Sequence, residues 1–172
     1  MSAELARPPV RAYVGLGANL GDASAALTTA VNAMAAWSDT QVVARSRIYR
    51  TSPLDTDDGG EKPTAGDDYL NAVVALDTTL PALALLARLQ QLELQAGRER
   101  PYRNAPRTLD LDLLLYGSGT VDSAALTVPH PRMQQRAFVL VPLAEIAPER
   151  VSPASLASVA HQAITPVGAF GG

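Results

Sequence analysis

Cysteine is absent from the 172-residue sequence, which excludes disulfide bonds and thiolate metal sites. There is also no run of about eighteen apolar residues, so no membrane-spanning helix and no membrane partner are expected. Residues 1–9 lack the apolar stretch of a secretory signal peptide. These absences together predict a cytoplasmic protein.

Lysine is nearly absent, because Lys62 is the only one and lies in the acidic stretch D-D-G-G-E-K-P-T. A P-loop requires G-x-x-x-x-G-K-[ST], so a nucleotide would have to bind this chain by another route. All other basic side chains are arginines, and 14 basic against 17 acidic residues give a net charge of −3. This mildly acidic balance disfavours a dedicated nucleic-acid-binding protein.

Residues 98–116 combine basic and acidic side chains in the pattern R-E-R-P-Y-R-N-A-P-R-T-L-D-L-D-L-L-L-Y. The first half is a loop with four arginines: Arg98, Arg100, Arg103 and Arg107. The second half alternates as a strand, which places Asp110 and Asp112 on one face. Two carboxylates beside several guanidinium groups suit a polyphosphate that carries divalent cations. Solvation of a wet strand face explains the two aspartates equally simply, and both interpretations stay open.

The order of elements predicts an α+β fold. Strands are expected at residues 10–17, 40–50, 68–78 and 108–116, with one helix from a cap at Asp22 to about residue 37 and another from Pro81 to Gly97. This β-α-β-β-α-β order is the ferredoxin-like unit, an antiparallel sheet with both helices on one face. Its other face would then be free to carry a site.

The remaining segments lie outside this unit. Residues 51–67 are rich in Gly, Pro and Asp, and they predict a mobile lid. C-terminal additions comprise a short helix over residues 138–146 interrupted near Pro142, a second helix around 156–163, and a loose end. We expect a single domain over residues 10–150, with terminal extensions at 1–9 and 151–172.

Three smaller patterns allow more than one interpretation. The glycines of G-L-G-A-N-L-G miss the dinucleotide fingerprint by one position, which favours a tight strand-to-helix turn over a Rossmann site. Tyr69 and Asn71 share a strand face, either as a holder for a flat heterocycle or as surface residues. His130 lies between prolines, either as a phosphate ligand or as a local turn contact.

Six segments, in order from about residue 13 to 149, resemble the hydroxymethyl-dihydropterin pyrophosphokinase family of folate biosynthesis. They are Y-V-G-L-G-A-N-L-G-D, Y-R-T-S-P-L, Y-L-N-A-V-V, E-L-Q-A-G-R, P-R-T-L-D-L-D-L-L-L-Y-G and V-P-H-P-R-M-Q-Q-R-A-F. The resemblance implies the ferredoxin-like fold, two Mg²⁺ ions, and transfer of pyrophosphate from ATP to the pterin hydroxymethyl group with release of AMP. Its implied partners are these small molecules alone, and we expect a monomer.

The resemblance also implies site residues. Asp110 and Asp112 would hold both metal ions, and Arg98 and Arg107 would join them as catalytic residues. The implied pterin pocket comprises Gly17, Thr51, Leu54, Tyr69, Asn71 and Phe138. The implied ATP contacts are Glu93, Arg98, Arg107, Leu113 through its backbone, His130 and Arg136. Asn104 lies near the position where many relatives carry a tryptophan.

Two other functions compete with this interpretation. An aspartate pair on a ferredoxin-like sheet could also serve a two-metal nucleic-acid enzyme, although the acidic composition disfavours one. A non-catalytic ligand-binding domain is the other alternative, since fold alone does not give function.

Overall fold

A computed structural model describes residues 7–19, 23–51, 69–97 and 109–170 of the chain. The predicted site residues Leu54, Arg98 and Arg107 lie outside these residues. So do the predicted cap at Asp22 and all but the first residue of the predicted lid.

The described residues form eight strands and four α-helices. The strands are β1 (Val10–Ala18), β2 (Thr40–Arg45), β3 (Ile48–Thr51), β4 (Tyr69–Thr78), β5 (Asp110–Tyr116), β6 (Val121–Asp122), β7 (Thr127–Val128) and β8 (Thr165–Gly168). The helices are α1 (Ala23–Ala35), α2 (Ala82–Gly97), α3 (Ala137–Ile146) and α4 (Pro153–Ser158). None of these described helices has the length and apolar character needed to cross a membrane.

Six strands form the main sheet, in the order β5-β1-β4-β3-β8, with β2 also paired to β4. Every pairing is antiparallel. Because β2 and β3 both follow one edge of β4, they act as two halves of a single bent strand. The order of the central strands and the positions of α1 and α2 confirm the predicted ferredoxin-like arrangement.

The first face of the sheet is covered by α1 and α2. Apolar side chains three and four residues apart form the inner stripe of α1, at Leu27, Val31 and Met34, and all three are buried. Leu85 and Leu89 of α2 are fully buried against the same layer. This face therefore carries a continuous apolar core.

Among the described residues, α3 covers only one half of the second face, and we call the other half the open half. Helix α3 packs over one half through Val139, Leu140 and Leu143. The strand residues in the same cluster are Tyr13, Val73, Ala75, Leu114 and Leu115. Helix α3 continues through Pro142, so the predicted interruption there is wrong. Proline removes one hydrogen bond of the helix, and the buried apolar face of α3 holds the helix across that gap.

Other local details differ from the predictions. The predicted strand over residues 40–50 breaks between β2 and β3, where the Ser46 hydroxyl accepts the Val73 amide at 2.9 Å in place of a ladder bond. Strand β8, which pairs with β3, was not predicted. Helix α4 also begins earlier than predicted, since the Ser152 hydroxyl caps it by accepting the Ser155 amide at 3.0 Å.

Candidate active site

The two aspartates of β5 lie on the open half of the second face. Leu111 and Leu113 between and after them are buried in the core on the first face, so strand alternation places Asp110 and Asp112 on the other. The antiparallel register sets Asp110 opposite Gly17 and Asp112 opposite Gly15. Neither glycine has a side chain of its own, and neighbouring side chains approach the backbone there: a Cβ on Gly15 would lie 3.4 Å from the Leu114 side chain, and one on Gly17 would lie 3.0 Å from the Asn71 amide. We call Gly15 and Gly17 the glycine floor.

Gly17 also separates Asp110 from Asn71 of β4, its partner on the other side. A Cβ placed on Gly17 would lie 3.0 Å from Asn71 Nδ2, closer than ordinary side-chain packing allows. The absence of a side chain at Gly17 thus lets the amide of Asn71 lie low over the sheet. A carboxylate and an amide therefore flank the same backbone strip.

The amide of Asn71 is buried and oriented. Only 6% of the residue is exposed, and its Oδ1 accepts the hydroxyl of Thr51 at 2.9 Å. This bond leaves Asn71 Nδ2, a donor, above the glycine floor. Tyr69 lies opposite Thr51 in the β3–β4 register, on the same face as Asn71. An oriented amide beside an aromatic ring can hold a flat, hydrogen-bonding heterocycle.

Tyr49 connects the open half of this face to α3. It pairs with Asn71 across the strands and donates its hydroxyl to Glu145 Oε1 at 2.6 Å. The same carboxylate accepts the backbone amide of Arg47 at 3.0 Å. Burial raises the pKa of Tyr49, and the hydrogen bond to Glu145 raises it further. The Tyr49 phenol is therefore neutral, and its hydrogen bond to Glu145 fixes β3 beside Asn71.

His130 lies near Asp112, held by its own backbone. Its amide donates to the Leu114 carbonyl at 3.0 Å, and its Nδ1 accepts the Arg132 amide at 3.1 Å. With Nδ1 as acceptor, the neutral ring carries its proton on Nε2 and can donate from there. Burial lowers the pKa of His130, and the charges of Arg136 and Arg132 lower it further, while Asp112 opposes them. The charges of one carboxylate and two guanidinium groups therefore act on the imidazole of His130.

Arg136 and Phe138 lie at the beginning of α3. Arg136 is the N-cap residue, with extended backbone at φ −127° and ψ 112°. Its guanidinium lies 5.3 Å from the centre of the Phe138 ring, a cation–π distance. The first turn of this helix thus presents a cation and an aromatic ring together.

Glu93 contacts the outer edge of β5. Its Oε2 accepts the backbone amide of Leu111 at 2.7 Å, which fixes the strand between the two aspartates. The side chain of Leu113 is buried in the first-face core, so only its backbone is available to a ligand. The predicted contact through the Leu113 backbone is compatible with this position.

The carboxylate pair offers a limited set of metal ligands. Within the described residues, no group of three or more His, Cys, Asp or Glu side chains could hold a metal ion. Two carboxylates on one strand face suit Mg²⁺, which takes one or two carboxylates together with substrate phosphates. The donor set therefore fits a metal ion that arrives with a polyphosphate. Sequence reasoning missed Gly15, whose only signal is its two-residue spacing from Gly17.

Comparison with known proteins decides the family. The sequence profile described as 7,8-dihydro-6-hydroxymethylpterin-pyrophosphokinase matches residues 13–148. A relative named 2-amino-4-hydroxy-6-hydroxymethyldihydropteridine pyrophosphokinase, from Methylorubrum extorquens, is 47% identical over 82% of this chain and 85% of its own length. One of the same name from Pseudomonas aeruginosa is 45% identical over 81% of this chain and 82% of its own. The chain belongs to this pyrophosphokinase family.

Membership of the pyrophosphokinase family makes the protein an enzyme of folate biosynthesis that transfers pyrophosphate from ATP to the hydroxymethyl pterin. Its fold also resembles solved HPPK-DHPS chains. One in complex with substrates has a TM-score of 0.65 at 13% identity, covering 89% of this chain and 43% of that one. One from Plasmodium falciparum has a TM-score of 0.59 at 13% identity, covering 81% and 38%. The protein thus spans about two fifths of those chains, and the likeness bears on the fold alone.

Proposed function

We propose that the open half of the second face is the site where the pyrophosphokinase reaction occurs. The observation that carries this proposal is the glycine floor, with Asp110 and Asp112 on one side and the oriented amide of Asn71 on the other. A pterin bound at Asn71 and a metal-bound polyphosphate at Asp110 would meet across Gly17, which has no side chain to separate them. Reacting atoms need such an unobstructed approach, of about 3–3.5 Å, before transfer.

The pterin side of the site is built on β3 and β4. Asn71 Nδ2 donates to an acceptor on the pterin edge, while Thr51 keeps the amide from rotating. Tyr69 and Phe138 enclose the flat ring, and Gly17 contacts it through its backbone. Leu54, outside the described residues, completes this pocket by the family resemblance.

The nucleotide side is built around His130 and Arg136. Arg136 pairs with phosphate oxygens, and His130 donates from Nε2 while burial keeps its ring neutral. Glu93 and the backbone of Leu113 border the nucleotide along the edge of β5. Arg98 and Arg107, outside the described residues, are the further phosphate contacts and catalytic cations that the resemblance implies.

Asp110 and Asp112 would hold two Mg²⁺ ions, which supply charge neutralisation on the phosphate oxygens and on the AMP leaving group. The chain's own contribution is alignment. The pterin hydroxyl oxygen forms a bond to the β-phosphorus, the bond from that phosphorus to the AMP oxygen breaks, and the hydroxyl proton is released. Arginine charge stabilises the negative charge that builds up on the phosphate oxygens. No side-chain nucleophile takes part in this mechanism.

The test is a nucleotide assay with ATP, Mg²⁺ and 6-hydroxymethyl-7,8-dihydropterin. We expect AMP to form in proportion to the pterin supplied, and formation of ADP or no turnover would contradict the proposal. Mg²⁺ titration of the apparent rate, with EDTA as the control, tests the metal assignment. We also propose a cytoplasmic monomer, as expected from the sequence, and gel filtration at assay concentration tests the monomer.

A further inference from the structure

The C-terminal segment after residue 148 lies beyond the part of the chain that matches the family profile. One of its side chains reaches the beginning of α3. The side chain of Gln162 accepts the Ala137 amide through Oε1 at 2.8 Å and donates through Nε2 to the Gln135 carbonyl, also at 2.8 Å. These two backbone groups flank Arg136 directly.

The chemistry of the two partners fixes the orientation of the Gln162 amide. A backbone amide can only donate and a carbonyl can only accept, so a flipped Gln162 would lose both bonds. Gln162 is itself held in place. Its backbone amide donates to the Val159 carbonyl at 3.0 Å. Val159 and Ile164, on either side of Gln162 in the sequence, pack into the second-face core.

Arg136 does not cap α3 with its own side chain, and its backbone is extended rather than helical. Its amide donates to the Met133 carbonyl at 3.3 Å, and its carbonyl accepts the amides of Val139 and Leu140. The Ala137 amide is one of the four at a helix beginning that lack an intrahelical partner. Gln162 satisfies that amide and ties down the carbonyl before Arg136. Gln162 therefore holds one backbone group in each of the two peptide units that flank Arg136.

We propose that Gln162 is a positioning residue of the active site, which fixes Arg136 and Phe138 in the geometry that binds nucleotide and pterin. This inference rests on the proposed roles of Arg136 and Phe138. The buried side chains of α3 anchor the helix independently, through Val139, Leu140 and Leu143. Loss of the two hydrogen bonds from the Gln162 side chain should therefore loosen the first turn of α3 without unfolding the helix.

The main test uses Gln162→Ala, with ATP and pterin affinities measured separately from kcat. We expect both dissociation constants to rise about tenfold, the size of effect given by one or two lost hydrogen bonds. Hydrogen exchange at the Ala137 amide should accelerate in the same variant. Gln162→Glu keeps an acceptor for that amide but sets a carboxylate oxygen against the Gln135 carbonyl, so its affinities should also be weaker than those of the wild type.

Two controls separate positioning from general stability. Ser152→Ala removes the cap of α4 and destabilises the same segment, and His161→Ala changes the exposed neighbour. Both should leave the two affinities within about twofold of the wild type. If Ser152→Ala weakens binding as much as Gln162→Ala, the effect is structural and the inference is overturned.

A double-mutant cycle distinguishes this inference from the function on which it rests. If Gln162 acts through Arg136, Gln162→Ala should have little further effect on ATP affinity in an Arg136→Ala background. Full additivity would overturn the positioning role while leaving the site assignment intact. If Arg136→Ala and Phe138→Ala change neither affinity, the site assignment fails and the positioning role fails with it.

Discussion

The two faces of the sheet are built from alternate residues of the same strands, yet they differ in kind. The first face is apolar along its whole length and is matched by the inner stripes of α1 and α2. The second is apolar only beneath α3, and beyond α3 it carries glycine, carboxylate and amide groups. Substitutions on the first face should therefore affect stability, and those on the open half of the second should affect activity.

Strand β5 shows the contrast most directly. Leu111 and Leu113 contribute to the first-face core, whereas Asp110 and Asp112 flank the glycine floor. The proposed metal ligands thus lie on a strand whose position is fixed by buried leucines behind it and by Glu93 at its edge. Rigid elements hold reacting groups more accurately than loops do.

The largest effect is expected from Asp112→Asn. It removes the proposed metal ligand with almost no change in shape, and we expect kcat/KM to fall on the order of a thousandfold or more, about 4 kcal/mol of transition-state stabilisation. The melting temperature should stay unchanged or rise. Asp122→Asn on the exposed β6 is the matched control, with wild-type activity. A loss of less than tenfold in Asp112→Asn would remove this residue from the metal site.

The next largest effect is expected on the first face, from Leu89→Ala. This fully buried side chain of α2 leaves a cavity when truncated, and we expect the free energy of unfolding to fall by about 2–5 kcal/mol. Urea unfolding measures the loss, and kcat per folded molecule should be unchanged. Leu83→Ala, at a residue that is 53% exposed, should change stability by less than about 0.5 kcal/mol. A large drop in kcat for Leu89→Ala would contradict the expectation that first-face substitutions affect stability and not activity.

A smaller, selective effect is expected from Gly17→Ala. The added methyl lies 3.0 Å from Asn71 Nδ2 and must displace that amide from the glycine floor. We expect pterin affinity to fall by about 1–3 kcal/mol, the cost of losing or misaligning a buried hydrogen bond, with little change in ATP affinity. In Gly119→Ala the new methyl would find only an ordinary contact at 3.6 Å, so this variant serves as the control. Equal losses for ATP and pterin would argue against a local effect on Asn71.

The smallest effect is expected from Arg88→Gln on the first-face side. Arg88 pairs with Asp39 at 3.0 Å and lies 5.2 Å from the Trp37 ring centre. The pair is partly exposed, so its loss should cost at most about 1 kcal/mol at pH 7. The hydrogen bond from Arg88 lowers the pKa of Asp39 below its usual value. The stabilisation is therefore present at neutral pH and is lost as the pH falls through that lowered pKa.

Urea unfolding of wild type and Arg88→Gln at pH 7 and pH 3 checks this sign. The stability difference between the two proteins should shrink at the lower pH. If the stability difference grows on acidification instead, the stabilising effect of Arg88 does not depend on ionised Asp39.

The sequence was sufficient for the strand order, both first-face helices and the aspartate strand, because each rests on strong local periodicity. It was insufficient where tertiary contacts override local pattern. Strict alternation predicts Val42 and Ala44 on one face, yet a register shift between them sends Val42 to the first-face core and Ala44 to the second. The register shift inserts one extra residue into β2 between Val42 and Ala44, and nothing in the residue types of this segment signals it.

Strand β8 was not predicted, for a related reason. Proline and glycine disfavour a central strand, and residues 165–168 include Pro166 and Gly168. An edge strand tolerates proline, because one side of its backbone has no partner to satisfy. The roles proposed for Asn71 and Arg136 come from the family resemblance. The bonds from Thr51 and Gln162 that orient them join residues 20 and more positions apart and have no sequence signature.

Strand β8 also bears on how the enzyme behaves at high concentration. Without it, the backbone of β3 would present unpaired amides and carbonyls to any extended chain that approached. With it, the new outer edge is four residues long and includes Pro166, which has no N–H to donate. The chain thus supplies from its own end the strand that a neighbouring copy could otherwise insert. A segment that contributes little to the core therefore acts against self-association.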